Sequence, residues 1–293
     1  MGRGAGRSFV ALGALGGIVE FGGTAVAVLG LDTLARCYLA GFANSRTARP
    51  VVCMEAIAGV GFHLFVPVAL LVAILVGSTV LGALQVVHSL GDAKRLDRIL
   101  GPRITTVPPE LTRAAQDAEV SEFEVRENVE PYGVCLGILH PRVVVSTALV
   151  GFLTHDEVVA VIAHEERHRR RRAPLRRLVA LATTRALFYL PLLNDLSAAH
   201  VIEEEVVADE QSCALVGAHA LVRALEKMSD ACRMSRAASS AFGDLSTLSF
   251  RLKAIREGRV SRPSLRRLSA AASASSLCLL VLLALWMPLA GIR

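Results

Sequence analysis

Two histidines four residues apart, with a glutamate directly after the first, are the residues of this sequence best placed to do chemistry. They lie in His164-Glu165-Glu166-Arg167-His168, an H-E-x-x-H string. Residues at i and i+4 stack on one helix face about 5–6 Å apart, so both imidazoles can reach one metal ion. Two imidazoles and a carboxylate suit zinc and leave a fourth position for water. Glu165 then stands where it can take a proton from that water and pass it on. The preceding Asp156–Ile162 stretch has the helical periodicity the motif needs. The bland alternative is a surface helix carrying these residues by chance.

A third ligand has to come from elsewhere in the chain. Glu203-Glu204-Glu205-Val206-Val207-Ala208-Asp209-Glu210 offers three consecutive candidates. Glu205 is preferred because it alone has Asp209 four residues on, on its own helix face. Asp209 would accept the second ring N–H of a ligand histidine, fixing its tautomer and raising its basicity. Glu203 and Glu204 stay as rival ligands. Otherwise they read, with Glu210, as a solvated acidic patch.

These strings occur in a telling order. Pro141–Leu149 and Thr154-His155-Asp156-Glu157 lead into the H-E-x-x-H helix, and Glu205-Val206-Val207-Ala208-Asp209 follows. Over residues 108–215 the chain resembles the integral-membrane gluzincins, most of all the peptidase part of the BlaR/MecR antirepressor metallopeptidases. HtpX-like and CAAX-endopeptidase-like enzymes are the neighbouring resemblance. The resemblance implies that His164, His168 and Glu205 bind zinc, that Glu165 is the general base, and that one edge strand pairs with the substrate backbone.

The elements that must position these residues follow from hydropathy. Of the 293 residues 53% are hydrophobic, and the mean hydropathy of +0.50 exceeds the norm of soluble chains. The excess sits in blocks, so the expected fold class is a mostly α membrane protein with transmembrane helices plus a small α+β zinc metallopeptidase domain. The first block, Phe9–Leu31, is long enough to span a bilayer. A cleaved signal peptide is the competing reading there, and Glu20 would be an intramembrane carboxylate. The loop Asp32–Glu55 carries Cys37 and Cys53, which would face an oxidising side and form either a disulfide or two packed free thiols. The second block, Ala56–Val87, contains Pro67 as a kink site and His63 as a packed residue. The third span is residues 271–293. The domains expected are therefore 1–87, two spans and their loop; 88–270, the peptidase domain; and 271–293, the last span.

Within 88–270, Pro108-Pro109-Glu110 starts a helix running to Ala118. Glu122–Val125, Tyr132–Leu136 and Val143–Ser146 read as strands, with Glu130-Pro131 and His140-Pro141 marking turns. Tyr132–Gly137 is the candidate substrate edge. Arg169–Arg172, followed by Arg176 and Arg177, reads as a headgroup-facing cluster. The apolar stretch 178–193 cannot simply cross a membrane, because His168 and Glu205 must both lie within about 2 Å of one ion. It reads as a shallow hairpin or an interfacial helix.

Lysines and arginines concentrate in 88–177 and 194–270, against Arg36, Arg46 and Arg49 in the first loop. That bias puts the catalytic region in the cytoplasm of a multi-pass plasma-membrane protein. The formal charge of +6 comes with only 5% aromatics and no nucleic-acid motif, so direct nucleic-acid binding is not expected. Expected partners are a protein or peptide substrate, membrane lipids and, left open, a second copy of the chain. The chemistry is peptide-bond hydrolysis by a zinc endopeptidase, with His200 and His219 as candidate oxyanion donors. The antirepressor resemblance implies a cytoplasmic repressor as substrate and a role in signal transduction. Membrane-protein quality control, and a non-catalytic receptor with structural zinc, are the alternatives. The β-lactam sensors differ in that here the chain stops soon after the last span, and two spans precede the peptidase region. Signalling through β-lactam acylation is thus not expected.

Overall fold

Three short strand-forming runs, separated by proline-marked turns, pair into one small sheet. The computed structural model describes residues 50–234, 245–257 and 266–290. The Phe9–Leu31 span, Glu20 and Cys37 lie outside the described residues, as do the side chains of Cys53 and His63. In the sheet, β1 (Phe123–Arg126) runs parallel to β3 (Arg142–Ser146), and β2 (Gly133–Leu136) runs antiparallel to it, in the order β1-β3-β2. Phe123 faces Val143 in one register and Cys135 faces it in the other. The central strand is apolar on both faces, as burial on both sides demands, with Val143, Val144 and Val145 fully buried.

The two edges differ. Ile104 N–H donates to Val125 O and Glu127 N–H to Pro102 O, both at 3.0 Å, so residues 102–104 cover the outer side of β1. β2 forms the other edge. Ser146 N–H bonds Tyr132 O at 3.0 Å, which makes Tyr132, Val134 and Leu136 the residues whose backbone points at β3. The N–H and C=O groups of Gly133 and Cys135 therefore point outward from the sheet.

The helices, in chain order among the described residues, are α1 (Pro50–Ile99), α2 (Pro109–Asp117), α3 (Ala148–Phe152), α4 (His155–Arg170), α5 (Ala173–Ala186), α6 (Pro191–Val216), α7 (Ala218–Met234), α8 (Leu245–Glu257) and α9 (Arg267–Ala290). Two compact units divide them. One comprises 86–181 and the described part of 197–264; the other comprises 50–85, 182–196 and the described part of 265–293.

In the first unit the core joins the sheet to α2, α4 and α7 through Leu111, Ala114, Val143, Val145, Leu149, Val159, Ile162 and Ala224. Val144, on the opposite face, packs with Leu100, Tyr132 and Leu136. The entry to α4 is fixed by a capping box, in which Thr154 N–H donates to Glu157 Oε2 at 2.9 Å. Glu157 is fully buried and also pairs with Lys227 at 2.7 Å and Arg223 at 3.1 Å, which ties α7 to the start of α4. Small residues let α6 lie close against α4. Ala160, Ala163, Ala208 and Ser212 have no exposed surface, and Ser212 Oγ donates to Ala160 O at 3.0 Å.

The second unit is helical. Gly82 of α1 stands where an added Cβ would come within 3.2 Å of Ala186 Cβ, and Leu192 N–H bonds Ser273 Oγ at 3.0 Å. Ala69–Ile99, 31 residues with an 18-residue window of mean hydropathy 2.3, is long and apolar enough to cross a membrane by length and composition. Val76, Val80, Leu84 and Val87 are exposed along it. The helix continues through Pro67 and past the expected boundary at His88, where His88 and Asp92 form an i, i+4 pair at 2.9 Å. The 178–193 stretch is not one helix: α5 ends at Ala186, and α6 begins at Pro191.

Candidate metal centre

The i, i+4 spacing on α4 turns both motif histidines toward α6, the helix held close by the small-residue contact. His164 Nε2 and His168 Nε2 lie 3.0 Å apart. Glu205 sets Oε2 3.5 Å from His164 Nε2 and Oε1 3.5 Å from His168 Nε2. Among the described residues, ligand atoms of these three converge within 4.8 Å of one another. Ligand bonds of about 2.0–2.2 Å to a tetrahedral ion put donor atoms roughly 3.3–3.5 Å apart, so the spacing fits a first-row divalent cation. The two imidazoles and one carboxylate are also the donor set zinc takes.

Asp209 stands one turn after Glu205. Its Oδ1 is 3.0 Å from His164 Nδ1, so a ring proton sits on Nδ1 and Nε2 is the nitrogen that faces the trio. Burial and the Arg251 charge push the His164 pKa down, but the bonds from Asp209 and Glu205 outweigh them and raise it to about 9. Burial, and then the neighbouring His164, hold His168 down to about 4, which leaves it neutral. For Glu205, burial opposes ionisation, yet the Arg251 guanidinium and both histidines win and keep the carboxylate charged.

Glu165 lies on the side of α4 that faces β2. Burial lifts it to about 7; His164 and Arg251 pull it down, Glu205 pushes it up, and the Cys135 backbone N–H bonds its charged form. A carboxylate poised near neutrality can both accept and return a proton. The close approach of β2 depends on Gly133. A Cβ there would overlap Val161 Cγ1 and stand 3.7 Å from Glu165 Cγ.

The rivals for the third ligand take other places. Glu204 turns to Arg176 and Arg171, and Glu203 lies half-buried outside the trio. His200 is buried on α6 and His219 is exposed at the start of α7; neither is in the trio. The structure adds one residue that the sequence left undistinguished, Arg251 of α8. Its Nη1 lies 3.0 Å from Glu205 Oε2, and its Nε donates to Asp209 Oδ2 at 2.8 Å, with only 12% of the side chain exposed. It stands in a basic run with Lys253 and Arg256, and nothing in its local pattern marks it out.

No curated protein and no solved structure matches the chain. One family model does, peptidase family M48, over residues 107–252. That range holds both histidines, Glu165, Glu205, Asp209 and Arg251. The match of residues 107–252 to peptidase family M48 thus supports a metallopeptidase of gluzincin type.

Proposed function

We propose that the protein is a membrane-embedded, zinc-dependent endopeptidase. The observation that supports it most is the convergence of His164, His168 and Glu205, with Glu165 set between that trio and the β2 edge. His164, His168 and Glu205 hold the ion. When bound there, zinc supplies the Lewis acidity that activates water and polarises a carbonyl. Glu165 removes the proton from the attacking water and delivers it to the leaving amine nitrogen. Asp209 keeps the His164 ring in its ligand tautomer, and Arg251 holds Glu205 and Asp209 in place from the far side.

A substrate in extended form fits along β2, where the outward N–H and C=O of Gly133 and the C=O of Cys135 offer backbone pairing beside Glu165, which itself takes the Cys135 N–H. Pairing through the backbone selects an unfolded or extended segment more than a sequence. The substrate proposed is a cytoplasmic regulatory protein of the repressor class, on the antirepressor resemblance; a membrane-protein quality-control role is the alternative reading of the same site. The apolar Ala69–Ile99 helix supports a membrane location, and the basic bias of the catalytic region supports its cytoplasmic side.

The test uses the full chain in detergent with an unfolded, labelled casein. Cleavage should stop when a zinc chelator is added and return on adding zinc. Cleavage indifferent to the chelator, or none with a full complement of zinc on this and on repressor-type substrates, would contradict the reading.

A further inference from the structure

A second charged cluster lies one turn beyond His168 and takes no part in the proposed hydrolysis. Arg167 and Arg171, near the end of α4, and Arg176, in the first turn of α5, gather around Glu204 of α6. Arg176 Nη1 donates to Glu204 Oε1 at 2.5 Å, and Arg171 Nη2 stands 3.3 Å from the same oxygen. All of this is sheltered: Glu204 is 6% exposed, and the Arg171 and Arg176 side chains are 20% and 15% exposed.

The cluster is densely charged and its hydrogen bonds are not all met within the protein. Arg171 and Arg176 share one carboxylate oxygen of Glu204, and Arg167 feels the charges of Glu204 and, less strongly, Glu210. The neighbouring Arg169 and Arg170 are already committed to Glu166, each at 2.6 Å. Its hydrogen bonding is also incomplete. Arg167 Nε, Arg171 Nε and Glu204 Oε2 are buried with no hydrogen-bond partner. Buried donors and acceptors are rarely left so, and charged ones least of all.

The unmet groups specify their complement: two donors want an anionic oxygen, and one carboxylate oxygen wants a hydroxyl. A phosphate group that also carries a hydroxyl provides both. Guanidiniums bind phosphate in charge-assisted, often paired hydrogen bonds, and the N-terminus of α5 adds its positive end to the same place. Val179 and Leu181 lie exposed further along α5, about one turn beyond Arg176. We infer that the Arg167–Arg171–Arg176 cluster is a binding site for a hydroxyl-bearing phosphate. Its sources are a phosphatidylglycerol headgroup or free hydrogen phosphate. The inference does not rest on the peptidase reading.

The test uses the full chain in detergent and native mass spectrometry with phosphatidylglycerol or phosphatidylcholine, beside calorimetry with inorganic phosphate. The wild type should retain phosphatidylglycerol over phosphatidylcholine by about tenfold, or bind inorganic phosphate. Arg171→Gln should cut that binding by about tenfold, while Arg95→Gln, an exposed loss of the same charge, leaves it unchanged. Because Arg171→Gln disturbs a buried pair, the charge-neutralising triple variant Arg171→Gln/Arg176→Gln/Glu204→Gln is measured with it, and melting and zinc content report that each is folded. Phosphatidylglycerol retention displaced by excess inorganic phosphate identifies the lipid as a ligand of this site. Inorganic phosphate binding without lipid preference assigns the site to the free ion. Equal retention of both lipids with no phosphate binding, or binding that survives Arg171→Gln and the triple variant, would overturn the inference.

Discussion

Gly133→Ala tests whether the tight packing of β2 against the catalytic helix is what holds the edge strand beside Glu165. The glycine is not needed for an unusual backbone angle, because its φ is not in the left-handed region. It is needed for space. The added methyl would overlap Val161 Cγ1, and Val161 is 6% exposed with a β-branched side chain that has little freedom to turn away. Strand and helix must separate, and overpacking of this kind costs about 1–3 kcal/mol. For a chain of this size that lowers the melting temperature by roughly 2–12 °C. The same movement carries the Cys135 N–H away from Glu165 and shifts the proposed substrate edge, so kcat/KM should fall by roughly 10–100-fold. The compensating change is Val161→Ala. Alone it should cost about 1–2.5 kcal/mol by the cavity it leaves. Combined with Gly133→Ala, the new methyl occupies that space, and the double variant should be more stable than the sum of the two by about 1–2 kcal/mol. Thermal melts and casein cleavage of the four proteins complete the cycle. Additivity within about 0.5 kcal/mol, or a Gly133→Ala protein with unaltered melting and cleavage, would refute the packing argument.

Metal analysis should show Glu205→Ala depleted of zinc while Glu203→Ala and Glu204→Ala retain it, with Asp209→Asn weakened by about 10–100-fold. Arg251→Ala leaves the buried Asp209 carboxylate with His164 as its one named partner, which should cost about 3 kcal/mol. Melting should fall further in the chelated protein than in the zinc-loaded one, where the ion's charge replaces part of the guanidinium's. Glu157 supplies a pH test. Burial alone would raise its pKa, but the Lys227 bond, the Thr154 N–H and the Lys227 and Arg223 charges hold it below the ordinary carboxylate value. Its stabilisation is therefore complete above the unfolded pKa of about 4.3 and disappears as pH falls through the lower folded value. Glu157→Gln should lower the melting temperature at pH 7 and flatten its decline with acidity below about pH 4.5.

What was legible in the sequence was what a single helix carries. His164, Glu165 and His168 are within one turn of each other, so their geometry follows from helical spacing alone. Glu205 was separable from Glu203 and Glu204 because Asp209 marks its face. The three strands showed through their β-branched runs and proline turns, each within a residue or so of its observed ends. Contacts between distant segments left no such trace. Arg251 lies 42 residues after Asp209 in a run of similar cations, and only the packing of α8 singles it out. The glycine at 133 was visible, but its reason, Val161, is on another element. Glu204 looked like a solvated carboxylate because the arginines that bury it precede it by about 30 residues. The extension of α1 to Ile99 was missed because the polar segment after His88 still carries helical pairings such as His88–Asp92.

The central claim is that Glu165 moves the proton while His164, His168 and Glu205 hold the ion. The most direct measurement compares wild type with Glu165→Gln for zinc content and casein cleavage on the same preparation. The account predicts zinc near one per chain in both proteins and cleavage only in the wild type. A variant that cleaves at a comparable rate, or one that has lost its zinc, would contradict it.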